Sequence, residues 1–122
     1  MTEKKTVVYE TPGIASDDVH IPEHIRATLK VASGINEGDV HQLGKAQTTI
    51  GRGELADVKV DDDSMSRRHF QISYRKLEFR VRDLDSANGT FLNGSEVEEY
   101  ALRDGDKLVA GETLFTFHVE RV

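Results

Sequence analysis

Ser64-Met65-Ser66-Arg67-Arg68-His69-Phe70-Gln71-Ile72-Ser73-Tyr74, continued after Arg75-Lys76 by Leu77-Glu78-Phe79-Arg80-Val81-Arg82-Asp83-Leu84, is the stretch from which the fold can be read. From His69 onward apolar and polar residues alternate, the period of a strand with one buried and one wet face. In the second run Leu77, Phe79 and Val81 are expected on one side, and Glu78, Arg80 and Arg82 on the other. Arg75-Lys76 is the expected turn between two paired strands. Ahead of the alternation stands a polar loop with two serines and two arginines, a place where side chains compete with the backbone for hydrogen bonds.

The same texture repeats on both sides. Upstream, Ala27-Thr28-Leu29-Lys30-Val31-Ala32 alternates, and Val40-His41-Gln42-Leu43, Thr48-Thr49-Ile50 and Val58-Lys59-Val60 read as short strands. Downstream, Thr90-Phe91-Leu92 and Glu96-Val97 flank Asn93-Gly94, a turn signal because both residues accept positive φ. Asp104-Gly105 is a second turn, followed by Lys107-Leu108-Val109 and the last strand, Leu114-Phe115-Thr116-Phe117-His118-Val119. Many short strands without a convincing helix predict an all-β fold, an antiparallel β-sandwich. Residues 1–26 read differently: Thr6-Val7-Val8-Tyr9 is strand-like, but Thr11-Pro12-Gly13 and Ser16-Asp17-Asp18 are turn and solvated-loop signals. The expected division is a flexible N-terminal tail at 1–26 and one domain at 27–122.

Composition narrows the function. The chain has 122 residues, enough for a single core, and its 37% hydrophobic residues are concentrated after Ala27. With no cysteine there is no disulfide scaffold, thiol nucleophile or thiolate metal site. No run approaches a membrane span and the polar start Met1-Thr2-Glu3-Lys4-Lys5 lacks a signal-peptide core, so the chain reads as cytoplasmic. A formal net charge of −6 argues against a nucleic-acid partner. His20 and His24 stand four apart, but Pro22 disfavours a helix between them and no third ligand is evident, so no metal is expected. The Asp61-Asp62-Asp63 run lacks the pattern of a calcium loop and is expected to be solvated.

Against the acidic background, three loops concentrate a different chemistry: Thr49-Ile50-Gly51-Arg52-Gly53, Ser64 to Phe70, and Asp85-Ser86-Ala87-Asn88-Gly89-Thr90. They supply guanidinium forks, a hydroxyl and a carboxamide, with glycines that let backbone approach closely. An arginine fork can hold two phosphate oxygens at once. A carboxamide can both donate to and accept from a peptide backbone. The set suits an oxyanion with an extended chain beside it.

In order and spacing, the Gly-Arg, Ser-x-x-His and Asn-Gly elements resemble the forkhead-associated (FHA) domain, a phosphothreonine-binding β-sandwich, from about Thr28 to Val122. The resemblance implies phosphothreonine-peptide binding by Arg52, Ser66, Arg67 and Asn88, with Arg68 and Ser86 as secondary candidates. Gly51, His69 and Gly89 are implied to be structural at the site. It implies no catalysis and no cofactor, a Ser/Thr kinase upstream, and service as the regulatory input of a larger protein. Where many members carry a hydroxyl residue before the asparagine, this chain has Ala87. The alternatives are a phosphate-independent interaction domain and, using Ser66 with His69, an esterase or phosphatase. A further expectation is that the tail, phosphorylated at Thr6 or Thr11, is itself a ligand. About twenty residues separate Thr6 from the first strand, a span of ~25 Å for a flexible linker.

Overall fold

The computed structural model describes residues 21–122. Thr6, Thr11, His20 and most of the expected tail lie outside the described residues. The described chain contains eleven strands and no helix: β1 (Ile25–Ser33), β2 (Val40–Leu43), β3 (Gln47–Gly51), β4 (Val58–Lys59), β5 (Phe70–Arg75), β6 (Glu78–Asp83), β7 (Thr90–Leu92), β8 (Ser95–Val97), β9 (Glu99–Leu102), β10 (Lys107–Ala110) and β11 (Thr113–Arg121). They form a six-stranded sheet in the order β2-β1-β11-β10-β7-β8 and a five-stranded sheet in the order β4-β3-β5-β6-β9.

The alternation explains the sandwich. Leu29 and Val31 of β1 and Phe115 and Phe117 of β11 are fully buried, as are Ile50, Phe70 and Val81 from the other sheet. Phe70 meets Phe115 edge-on at 5.5 Å between ring centroids, and Phe79 meets Phe117 at 5.3 Å. Each large buried side chain is worth roughly 1.5–3 kcal/mol of transfer free energy, so these inward rows are what hold the sheets together. Ile21 joins the same core and β1 starts at Ile25, ahead of the first strand residue expected from the pattern.

Three local expectations are corrected. The β5–β6 turn is Lys76-Leu77 rather than Arg75-Lys76: Arg75 pairs with Glu78, and Lys76 and Leu77 both take positive φ, 53° and 68°. Leu77 is therefore 86% exposed and does not share the face of Phe79 and Val81. β9 was not anticipated, because Glu99-Tyr100-Ala101-Leu102 is an edge strand with only Leu102 buried and shows no alternation. The pairing is also not wholly antiparallel. β3 and β4 run parallel over two residues, Ile50 with Val58 and Gly51 with Lys59. A full parallel ladder needs a crossover of a dozen residues or more. So short a pairing can be reached by the 52–57 loop alone, closed by the Ala56 amide on the Gly53 carbonyl at 3.2 Å.

Candidate functional site

Three connections are bound to one another by their own backbones: β3–β4 (52–57), β4–β5 (60–69) and β6–β7 (84–89). The Arg52 amide donates to the Ser66 carbonyl at 3.2 Å and the Gly53 amide to the Arg67 carbonyl at 3.1 Å. Gly51 allows this approach, since a Cβ there would collide with the Arg67 carbonyl and lie 2.9 Å from that of Ser66. Gly89 is needed for another reason: its φ of +86° is one that side-chain-bearing residues rarely adopt.

His69 joins the second loop to the third. Fully buried, it accepts the Ser66 amide at Nδ1 (3.0 Å), and its Nε2 lies 2.8 Å from the Gly89 carbonyl. Because Nδ1 accepts, the ring proton sits on Nε2 and donates to that carbonyl. Both ring nitrogens are thus used by backbone. His69 is not hydrogen-bonded to the Ser66 hydroxyl, as a general base would be.

The ligand-type side chains are held but not consumed. Ser66 Oγ accepts the Ala87 amide at 2.9 Å, which leaves its hydroxyl hydrogen for another acceptor. Asn88 donates from Nδ2 to the Ser64 carbonyl at 2.8 Å, and its Oδ1 has no partner among the described residues. Arg52 donates from Nε to the Met65 carbonyl at 2.7 Å, which fixes the plane of the guanidinium, and its two terminal nitrogens have no partner among the described residues. Arg67 and Arg68 are exposed, as is Arg52. The backbone at Gly53 lies close beneath Arg67, where a Cβ would be 2.9 Å from that of Arg67. Among the described residues the arginine–carboxylate ion pairs involve Arg80, with Glu78 and Glu99, and none involves Arg52, Arg67 or Arg68.

Ser86 is held within the third loop. Its hydroxyl donates to Asp83 Oδ1 at 2.6 Å and accepts the Gly89 amide at 2.9 Å, so both its functions are spent inside the turn. Asp83 also accepts the Ser86 amide at 3.1 Å and the Thr90 hydroxyl at 2.7 Å. Burial pushes the Asp83 carboxyl up, but the Ser86 and Thr90 hydrogen bonds outweigh it and hold the group below the ordinary carboxylate range.

Asp62, expected to be solvated, is buried. One oxygen accepts the Ser64 amide and hydroxyl, and the other accepts the Glu112 amide at 2.8 Å and the Thr113 hydroxyl at 2.7 Å. Here too burial pushes the carboxyl up and the four hydrogen bonds bring it below its usual value. The signal that could have singled out Asp62 is Asp-x-Ser, in which a carboxylate caps the amide two residues on. Its tie to Glu112 and Thr113 carries no local sequence signal at all.

Comparison with known proteins agrees with this architecture. The FHA domain family model matches residues 48–111. The glycogen accumulation regulator GarA of Mycobacterium tuberculosis is 36% identical over 91 residues, 75% of this chain and 56% of that protein, so the chain spans little more than half of the relative's length. A solved FHA domain studied for phosphothreonine-dependent interactions superposes with a TM-score of 0.74 at 32% identity, covering 80% of this chain and 99% of that one. The FhaA FHA domain, complexed with the intracellular domain of another protein, gives 0.70 at 34% identity, covering 75% and 99%. The family match takes in all three loops, and with them the arginine, serine, histidine and asparagine around which they are built: the chain belongs to the FHA domain family.

Proposed function

We propose that this domain binds phosphothreonine-containing segments of partner proteins and performs no chemistry on them. The observation that carries the reading is the combination of open groups on braced loops. Arg52 offers its terminal guanidinium nitrogens, Ser66 its hydroxyl hydrogen and Asn88 its Oδ1, each already held from behind by one hydrogen bond. Held groups of this kind lose little conformational freedom on binding, and charge-assisted bonds to phosphate are the strong ones. Arg67 adds charge at the rim, with Arg68 the weaker candidate. Asn88 reads the backbone of the bound segment beside the phosphothreonine. Support comes also from the solved FHA relative whose interactions are phosphothreonine-dependent.

In this reading a Ser/Thr kinase supplies the signal, and residues 27–122 act as the input module of a larger cytoplasmic assembly. One candidate ligand is the chain's own N-terminal segment, phosphorylated at Thr6 or Thr11. A tethered ligand of this kind works at a millimolar effective concentration. At Thr11, Pro12 removes the amide next to the phosphothreonine, which favours Thr6.

The test is a degenerate phosphothreonine peptide library offered to the full chain, with the unphosphorylated library as control. Phosphate-dependent retention is expected, and equal retention of both pools would favour a phosphate-independent interaction domain. NMR of the chain phosphorylated at Thr6 addresses the tail. The Arg52, Ser66 and Asn88 signals should move and added phosphopeptide should compete; unmoved signals would remove the tail as ligand.

A further inference from the structure

The open groups of the site rest on a short piece of backbone. Asn88 leans on the Ser64 carbonyl and Arg52 on the next one, that of Met65, although the two side chains come from different loops. Whatever fixes these two carbonyls therefore fixes both ligand groups. The Ser64 amide and hydroxyl bond to Asp62, and the Met65 amide donates to the Asp62 carbonyl at 3.0 Å. Asp62 is in turn anchored outside the site. Its second carboxylate oxygen accepts the Glu112 amide, from the turn between β10 and β11 of the opposite sheet, and the hydroxyl of Thr113, the first residue of β11. That turn runs close against the segment: at Gly111, with φ +61°, a Cβ would lie 2.7 Å from Ser64 Oγ and 2.9 Å from Asp62 Oδ2.

We infer that Asp62 and Thr113 are positioning residues for the phosphothreonine site, so that the β10–β11 turn, which carries none of the proposed ligand groups, sets how well Arg52 and Asn88 are aimed. The physical argument is rigidity. A loop carbonyl held only by its neighbours can drift, and a misaimed hydrogen bond weakens steeply with angle. A carboxylate with four donors, two of them on the other sheet, removes that freedom. The inference rests on the phosphothreonine reading above and deepens it.

The experiment uses the full chain and the labelled phosphothreonine peptide pool. Thr113→Val removes one donor with little change in shape, Thr113→Ser restores the hydroxyl, and Ile72→Val is a core truncation with no bond to the site. With all proteins folded at the assay temperature, Thr113→Val should weaken binding about five- to tenfold, while Thr113→Ser and Ile72→Val stay within about twofold. A change in affinity common to Thr113→Val and Ile72→Val would reduce the role to general stability and overturn the inference. So would full-strength binding by folded Thr113→Val. Should Thr113→Val not fold, Asp62→Asn takes its place: it keeps the shape of the side chain but turns an amide group toward donors the carboxylate now accepts, and full-strength binding by that folded variant overturns the inference. If the wild type binds no phosphopeptide, the functional reading fails and the inference with it; if it binds and only the Thr113 results are negative, the inference alone falls.

Discussion

The imidazole of His69 accepts the Ser66 amide rather than the Ser66 hydroxyl, at 3.0 Å, and does so without any exposure to solvent. The pairing turns two residues that look like a base and a nucleophile into a brace and a braced loop serine. Replacing the ring by an apolar one of similar bulk would strand the Ser66 amide and the Gly89 carbonyl. An unsatisfied buried group costs roughly 1–3 kcal/mol. His69→Leu should therefore lower stability by about 2–4 kcal/mol, read from urea unfolding. A change below about 0.5 kcal/mol, within the range of ordinary surface substitutions, would mean that the brace is dispensable.

Arg52 and Ser66 should behave in the opposite way. Arg52 is exposed, and Ser66 is half-buried with its hydroxyl hydrogen uncommitted. Arg52→Ala and Ser66→Ala should each weaken phosphopeptide binding by ~1.5–3 kcal/mol, the size of a charge-assisted hydrogen bond. Folding should change far less. Calorimetry with one phosphothreonine peptide measures the first quantity, and retained affinity in both variants would remove these residues from the site.

The Lys76-Leu77 turn is built from residues that disfavour its backbone. Two successive positive φ values are the geometry in which Asn-Gly excels. The double substitution Lys76→Asn with Leu77→Gly should stabilise the domain by about 1 kcal/mol and remove an exposed leucine without touching the core. Thermal unfolding would show a rise in Tm; a fall would mean that Leu77 has packing the structure does not show.

Acid should loosen the site's supports. The folded-state carboxyls of Asp62 and Asp83 lie below their ordinary values, so their contribution is fully present above the unfolded pKa of about 3.9 and is lost as pH falls through the folded one. Urea midpoints should hardly vary from this source between pH 7 and 5 and should fall below about pH 4. In Asp62→Asn the fall should be shallower. An acid limb as steep as that of the wild type would show that the dependence comes from other carboxylates.

How much of this could be read beforehand varied with how local the cause was. The β5 and β6 strands, the Asn93-Gly94 turn and the concentration of Arg52, Ser66 and Asn88 on loops follow from alternation and side-chain chemistry within a few residues. Leu77 was misread because turn register depends on cross-strand pairing, and one residue of slip sends a side chain to the other face. β9 was missed because an edge strand with one buried residue has no period to detect. The burial of Asp62 is not legible because its partners decide its role, and two of these lie fifty or more positions away.

The first and last described strands, β1 and β11, are neighbours from Ile25 opposite Arg121 to Ser33 opposite Leu114, with the Val122 amide returning to the His24 carbonyl at 3.0 Å. During synthesis, then, β1 waits for the last strand to emerge before its sheet can close, because β11 is the strand that joins β2-β1 to β10-β7-β8. Non-local closure of this kind is intrinsically slow. A ribosome stalled before Thr113 would hold a chain that has every proposed ligand residue and no completed sandwich to present them.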